Sequence, residues 1–141
     1  MTGYRFTIPY AVRVADVNYG GHVSNAAVLN FFQDARIAYL GHLGPFSELD
    51  IGGGCGIILP EAHVRYLAEM FLGDELRIGV RVTEVRNSAF VVAYRIERQG
   101  VATAEGTTHL VAFDYQARKP RRLPSAFREA VSAFEGFGDS A

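Results

Sequence analysis

Apolar positions repeat with two different periods along this chain, and the change of period divides it. From Asn25 to about His42, Val28, Leu29, Phe31, Phe32, Ala35, Ile37, Ala38, Tyr39 and Leu40 cover nearly every side of a helical wheel. Asn30, Gln33 and Asp34 form a narrow polar stripe at i, i+3 and i+4. The spacing predicts one long helix, buried on most sides. Ser24 or Asn25 is placed to cap its start, and Gly41 and Gly44 offer stops. A carboxylate on a buried helix needs a partner, so Asp34 is expected to meet an Arg36 of a neighbour, a backbone group or an interface.

After the glycine-rich stretch "IGGGCG" the period falls to two. In "GDELRIGVRVTEV", Leu76, Ile78, Val80 and Val82 face one way and Arg77, Arg81 and Thr83 the other. Beyond Asn87 and Ser88 the alternation resumes at Phe90, Val92, Tyr94 and Ile96, which predicts a hairpin. Arg98 to Gly100 makes a second turn, and Val101 to Tyr115 a further strand that ends before Pro120 and Pro124. Ile57 to Leu72 and Tyr4 to Val14 read as extended. Each carries an early proline (Pro60, Pro9), which lacks a ladder donor and marks an edge or a bulge. Ser125 to Phe134 predicts a short terminal helix capped by Ser125.

The order is therefore β-α-β-β-β-β, an α+β chain read as one domain over residues 1–141. A sheet buries its apolar face against something, and the central helix is the one large candidate. The expected architecture is a curved antiparallel sheet of about five strands wrapped around that helix. Such a layer leaves an edge unpaired. Pairing with a second copy covers it, so a dimer is expected.

Composition narrows the function classes. The hydrophobic fraction is 49% and the charged fraction 21%, an ordinary globular balance. Fourteen Lys and Arg stand against 15 Asp and Glu, so nothing calls for nucleic acid or an anionic membrane. The basic stretch "ARKPRR" reads as a solvated strand exit, or more sharply as a contact for a phosphorylated ligand. A lone cysteine, Cys55, excludes an internal disulfide. No stretch has signal-peptide character or the roughly 18 apolar residues of a membrane span. A cytoplasmic location is expected.

Candidate chemistry concentrates in "DVNYGGHVSN", directly before the long helix. Helix starts offer unbonded N–H groups and the positive end of the dipole, and Gly20 and Gly21 let backbone approach a ligand. The N–H groups from Gly21 to Ser24 are candidates for holding an oxyanion. His22 can take a proton at neutral pH, with Asp16 as its orienter or as the base itself. Each has a plainer reading: His22 as a helix-start residue, Asp16 and Asn18 as turn formers, Tyr19 as packing. Glu61 and His63 share one strand face, read as a polar surface, and His42 and His109 read as structural. Cys55 has no nearby histidine in sequence. Neither a dinucleotide or P-loop glycine pattern nor a Cys/His cluster with zinc spacing occurs.

The stretch "VRVADVNYGGHVSNAAVLNFFQDAR" resembles the helix-start motif of the 4-hydroxybenzoyl-CoA thioesterase-like family of the hotdog fold. "RYLAEMFLGDELRIGVRVTEV" and "GVATAEGTTHLVAFDYQARKPRRLP" are similar to its later strands, so the resemblance spans about Tyr4 to Pro124. It implies hydrolysis of an acyl thioester carried on coenzyme A or acyl carrier protein. It also implies a site at the interface of a homodimer, with further pairing into a tetramer left open, and no metal or redox cofactor. The catalytic positions it marks are Asp16, Asn18 and His22, and the substrate-binding ones Tyr19, Gly20, Gly21, Val23, Ser24 and Asn25. One departure stands out: the family's second acid is Asn18 here, and an amide cannot serve as a carboxylate nucleophile. That leaves open which residue activates water. It also leaves open a non-catalytic acyl-thioester binder, or a hydratase or dehydratase acting on acyl thioesters.

Overall fold

The computed structural model describes residues 1–137, so the last four residues of the domain expected over 1–141 lie outside the described part. The chain runs β1 (Phe6–Ala11), α1 (Asn25–Leu43), β2 (Gly56–Tyr66), β3 (Glu75–Val85), β4 (Ala89–Arg98), β5 (Val101–Asp114), β6 (Lys119–Pro120) and α2 (Ser125–Glu135), with a 3-10 turn at Val14–Asp16. The sheet is antiparallel in the order β1-β3-β4-β5-β2, and the two-residue β6 adds to β5. The expected layer is present with six strands rather than five; the extra one is the short pairing of Lys119 and Pro120 with Asp114 and Phe113.

The alternation in β3 and β4 does what it predicts. Leu76, Ile78, Val80, Val82, Phe90, Val92, Tyr94 and Ile96 are all buried in one core with Phe31, Phe32, Tyr39 and Leu40 of α1. Both early prolines sit on edge strands, and the register of β2 shifts between Ile58 and Glu61, around Pro60. Gly106 of β5 lies directly under α1: a Cβ there would come within 2.6 Å of the Phe32 ring, so helix and sheet approach this closely only over a glycine.

Four expectations are corrected. The first strand is shorter than Tyr4–Val14, because after Ala11 the chain turns through Val14–Asp16. Within one chain the helix α1 is not buried nearly all round: Leu29 is 42% and Ile37 50% exposed, and Asp34 is exposed as well. The buried charge on α1 is Arg36 instead. Its Nε contacts Glu48 Oε2 and its Nη1 donates to Tyr94 Oη at 3.0 Å, as a buried cation requires. Finally, α2 is capped at Pro124, with no side-chain bond from Ser125, which is its first helical residue. The fixed φ of proline prepares the helical turn without a capping oxygen.

The most consequential difference concerns β2. The extended reading over Ile57–Leu72 breaks at Tyr66, because the N–H groups of Leu67 and Ala68 both donate to Thr103 O, at 2.9 and 3.2 Å. The segment that follows leaves the ladder and crosses in front of the α1 N-terminus. Among the described residues, no helix is long and apolar enough to cross a membrane.

Candidate active site at the start of the long helix

The turn before α1 is a small hairpin of its own. Val17 bridges Val23, Asn18 N–H donates to His22 O and Gly21 N–H to Asn18 O, each at 3.0 Å. Gly21 sits at φ +79°, a left-handed conformation that favours glycine. Gly20 serves a different purpose: a Cβ there would stand 2.9 Å from His22 Cδ2 and 3.4 Å from Asn18 Oδ1. The imidazole thus lies against a bare backbone. Asn18 Oδ1 accepts the Gly20 N–H at 3.0 Å, an Asx turn.

The hairpin is fastened to the segment after β2. Val23 N–H donates to Met70 O at 2.8 Å, and His22 bridges Phe71, whose ring centroid is 5.2 Å from the imidazole. On the other side, His22 Nδ1 lies 3.3 Å from Glu69 Oε1. Ser24 caps α1 by accepting the Ala27 N–H at 3.2 Å, and Tyr66 Oη donates to Asn25 O at 3.0 Å.

These contacts border an open cavity of about 510 Å³, lined on one side by Asn18, His22, Val23, Ser24, Asn25 and Val28 and on the other by Tyr66 to Met70. Of the residues that the sequence marks, Asn18, His22, Val23, Ser24 and Asn25 come together there. Asp16, Tyr19, Gly20 and Gly21 do not line it. Tyr19 points fully into solvent. Asp16 is held within its own turn, its Oδ2 accepting Tyr10 Oη–H at 2.7 Å and Arg13 N–H at 2.9 Å. Burial, followed by the Asp16 hydrogen bond, pushes the Tyr10 hydroxyl up to about 12, so Tyr10 stays protonated as a donor.

Three of the four expected oxyanion donors are engaged elsewhere. The N–H groups of Gly21, Val23 and Ser24 are taken by Asn18 O, Met70 O and Asp16 O. The remaining candidate donors are the N–H of His22 and, by helix geometry, the first of α1, Asn25 and Ala26, which have no intrahelical acceptor. Sequence reasoning missed Glu69, Tyr66 and Met70 as site residues. The "RYLAEMF" stretch carries a tyrosine that the family resemblance marks, but nothing in its spacing points to Glu69.

Other candidates fall outside the cavity. Glu61 and His63 are exposed and paired at 2.6 Å. Gly106 faces α1, so His109, an odd number of residues along β5, and its register partner Glu61 face away from the helix. Burial pushes the Cys55 thiol up, away from nucleophilic character. The basic stretch Ala117–Arg122 is mostly exposed at the end of β5. Among the described residues, no group of three or more His, Cys, Asp or Glu is placed to hold a metal ion.

The comparisons decide the family. The profile of the Thioesterase-like superfamily matches residues 12–131. This chain belongs to that superfamily. A thioesterase from Thermus thermophilus, solved in complex with coenzyme A and zinc, superposes with a TM-score of 0.86 at 31% identity, covering 98% of this chain and 99% of that one. A 1,4-dihydroxy-2-naphthoyl-CoA hydrolase of Thermosynechococcus vestitus is 28% identical over 114 residues, 77% of each chain. An L-carnitine dehydrogenase/betainyl-CoA thioesterase of Agrobacterium fabrum is 27% identical over 116 residues, 82% of this chain. This chain spans only 24% of that relative's length.

Proposed function

We propose that this superfamily member hydrolyses acyl-CoA thioesters, and that it does so at the start of α1. The observation that carries the reading is the convergence, in one cavity, of an imidazole with Asn25, the first residue of a long helix, whose N–H has no intrahelical acceptor. In this reading His22 Nε2 takes a proton from water as the oxygen attacks the thioester carbonyl. The developing oxyanion lies against the Asn25 and Ala26 N–H groups, where the positive helix end favours it. The C–S bond then breaks and the sulfur leaves with the proton that His22 held. The products are the free acid and the thiol. Asn18, where the family's second acid stands, accepts a backbone N–H and orients rather than attacks.

Acyl carrier protein is the alternative thiol carrier, since both carriers present the same thioester. The apolar residues Tyr66 and Leu67 at the cavity are 47% and 43% exposed, and β2 is an open edge. A second copy pairing there closes the acyl slot, so the working unit is a homodimer. The test is thiol release from a panel of short, long and aryl acyl-CoA esters, with acyl carrier protein esters alongside. Turnover of at least one ester, abolished by His22→Ala, is expected. Tight acyl-CoA binding with no thiol above background would establish a binder instead.

A further inference from the structure

We infer that Glu69 is the positioning residue of the site: it accepts the Nδ1 proton of His22 and so leaves Nε2 free as the base. The inference rests on the reading of the cavity as a thioester hydrolase site. Its grounds are geometric. The imidazole is fixed on three sides: Glu69 Oε1 stands 3.3 Å from Nδ1, Phe71 packs at 5.2 Å between ring centroids, and the Cδ2 edge lies against Gly20. The backbone beneath is pinned by the Val23 N–H to Met70 O bond, which fixes the Glu69 segment against the His22 hairpin. Arg98 Nη1 donates to Glu69 O at 2.8 Å and holds that segment from behind. Which ring nitrogen of a histidine carries the proton is set by the partner of the other. The carboxylate that meets His22 is Glu69, since Asp16 serves Tyr10 and Arg13. With the proton on Nδ1, Nε2 keeps the in-plane lone pair, and Nε2 and Cδ2 form the ring edge nearest Gly20, where a Cβ would stand 3.5 and 2.9 Å from them.

The test uses Glu69→Gln, which keeps size and removes the charge, together with Gly20→Ala. The Glu69 side chain is 66% exposed, so the first variant folds. Gly20 has an ordinary backbone conformation, and its new methyl meets only side-chain atoms of His22 and Asn18. Both variants are expected to lower kcat about tenfold or more, with KM within twofold and Tm unchanged. In nitrogen-resolved NMR of the neutral imidazole, the wild type is expected to show the Nδ1–H tautomer and Glu69→Gln a mixture. Glu69→Asp is expected to recover part of both signals. An unchanged tautomer in Glu69→Gln overturns the inference whatever kcat does, because Glu69 then does not set the proton. Equal kcat in wild type and Glu69→Gln overturns it too. A wild type without thioester turnover overturns the functional reading instead, and the NMR result separates the two failures.

Discussion

Asp16 and His22 stand six positions apart in one motif and do different work. Asp16 Oδ2 holds Tyr10 Oη and the Arg13 N–H, so it closes the turn that leads from β1 to the site. Asp16→Ala is expected to cost about 1–2 kcal/mol of stability, since two donors lose their acceptor. The substitution should leave kcat near wild type in the folded fraction. His22 is the reverse case. Its side chain is 38% exposed, so His22→Ala should keep Tm while kcat falls by about 10²–10⁴. Thermal unfolding and steady-state kinetics on the two variants separate the roles; an Asp16→Ala enzyme that is dead at an unshifted Tm would make Asp16 the base. The motif made Asn18, His22 and Asn25 legible because they are close in sequence and their residue types suit a polar turn. Glu69 was illegible for a physical reason: it meets His22 only because β2 breaks after Tyr66, and that break depends on Thr103 O, a carbonyl far along the chain.

At the scale of elements, β3 and β4 were readable because each buries one face, which leaves a period of two in the sequence. The helix α1 was readable as a helix but not in its burial, since apolar residues all round do not say which side meets the sheet. Glu48, the partner of its buried Arg36, lies in a loop with no period to betray it. The segment between β2 and β3 was the hardest, and it carries half of the site. Asp74 holds its far end, accepting Phe71 N–H and Arg98 Nη1 on Oδ2, each at 2.8 Å. Burial works against the Asp74 charge, but these two donors outweigh it and hold its carboxyl below the ordinary value of 3.8. A carboxyl lowered in the folded state stabilises above its unfolded pKa, and that stability is lost as pH falls through the folded one. Asp74→Asn is therefore expected to melt below wild type at neutral pH, with the gap closing once the pH drops under 3.8. A gap independent of pH in the same melting series would mean that the charge of Asp74 contributes nothing.

At the scale of the molecule the sheet has two unequal edges. β1 is six residues long and carries Pro9, which blunts it. β2 is eleven residues long, and its proline is the fifth of them, at the bulge. From the bulge onward its outer side is an open row of backbone donors and acceptors beside the exposed Tyr66 and Leu67. An edge of that length is a template for pairing, and an antiparallel match with a second β2 places each cavity next to the other chain. The proposed dimer thus serves the edge and the site at once: it pairs the free backbone groups and closes the acyl slot. Sedimentation is expected to give twice the chain mass of 15.5 kDa. Leu59, 41% exposed on this edge, tests the coupling. Leu59→Glu puts a charge on the edge that would be covered without touching the core, so it should yield a folded monomer. If the second copy completes the site, that monomer loses turnover, and wild-type activity per chain falls on dilution along the same curve as the dimer fraction. A Leu59→Glu monomer with full kcat would mean that one chain's cavity suffices and that the edge pairs for stability alone.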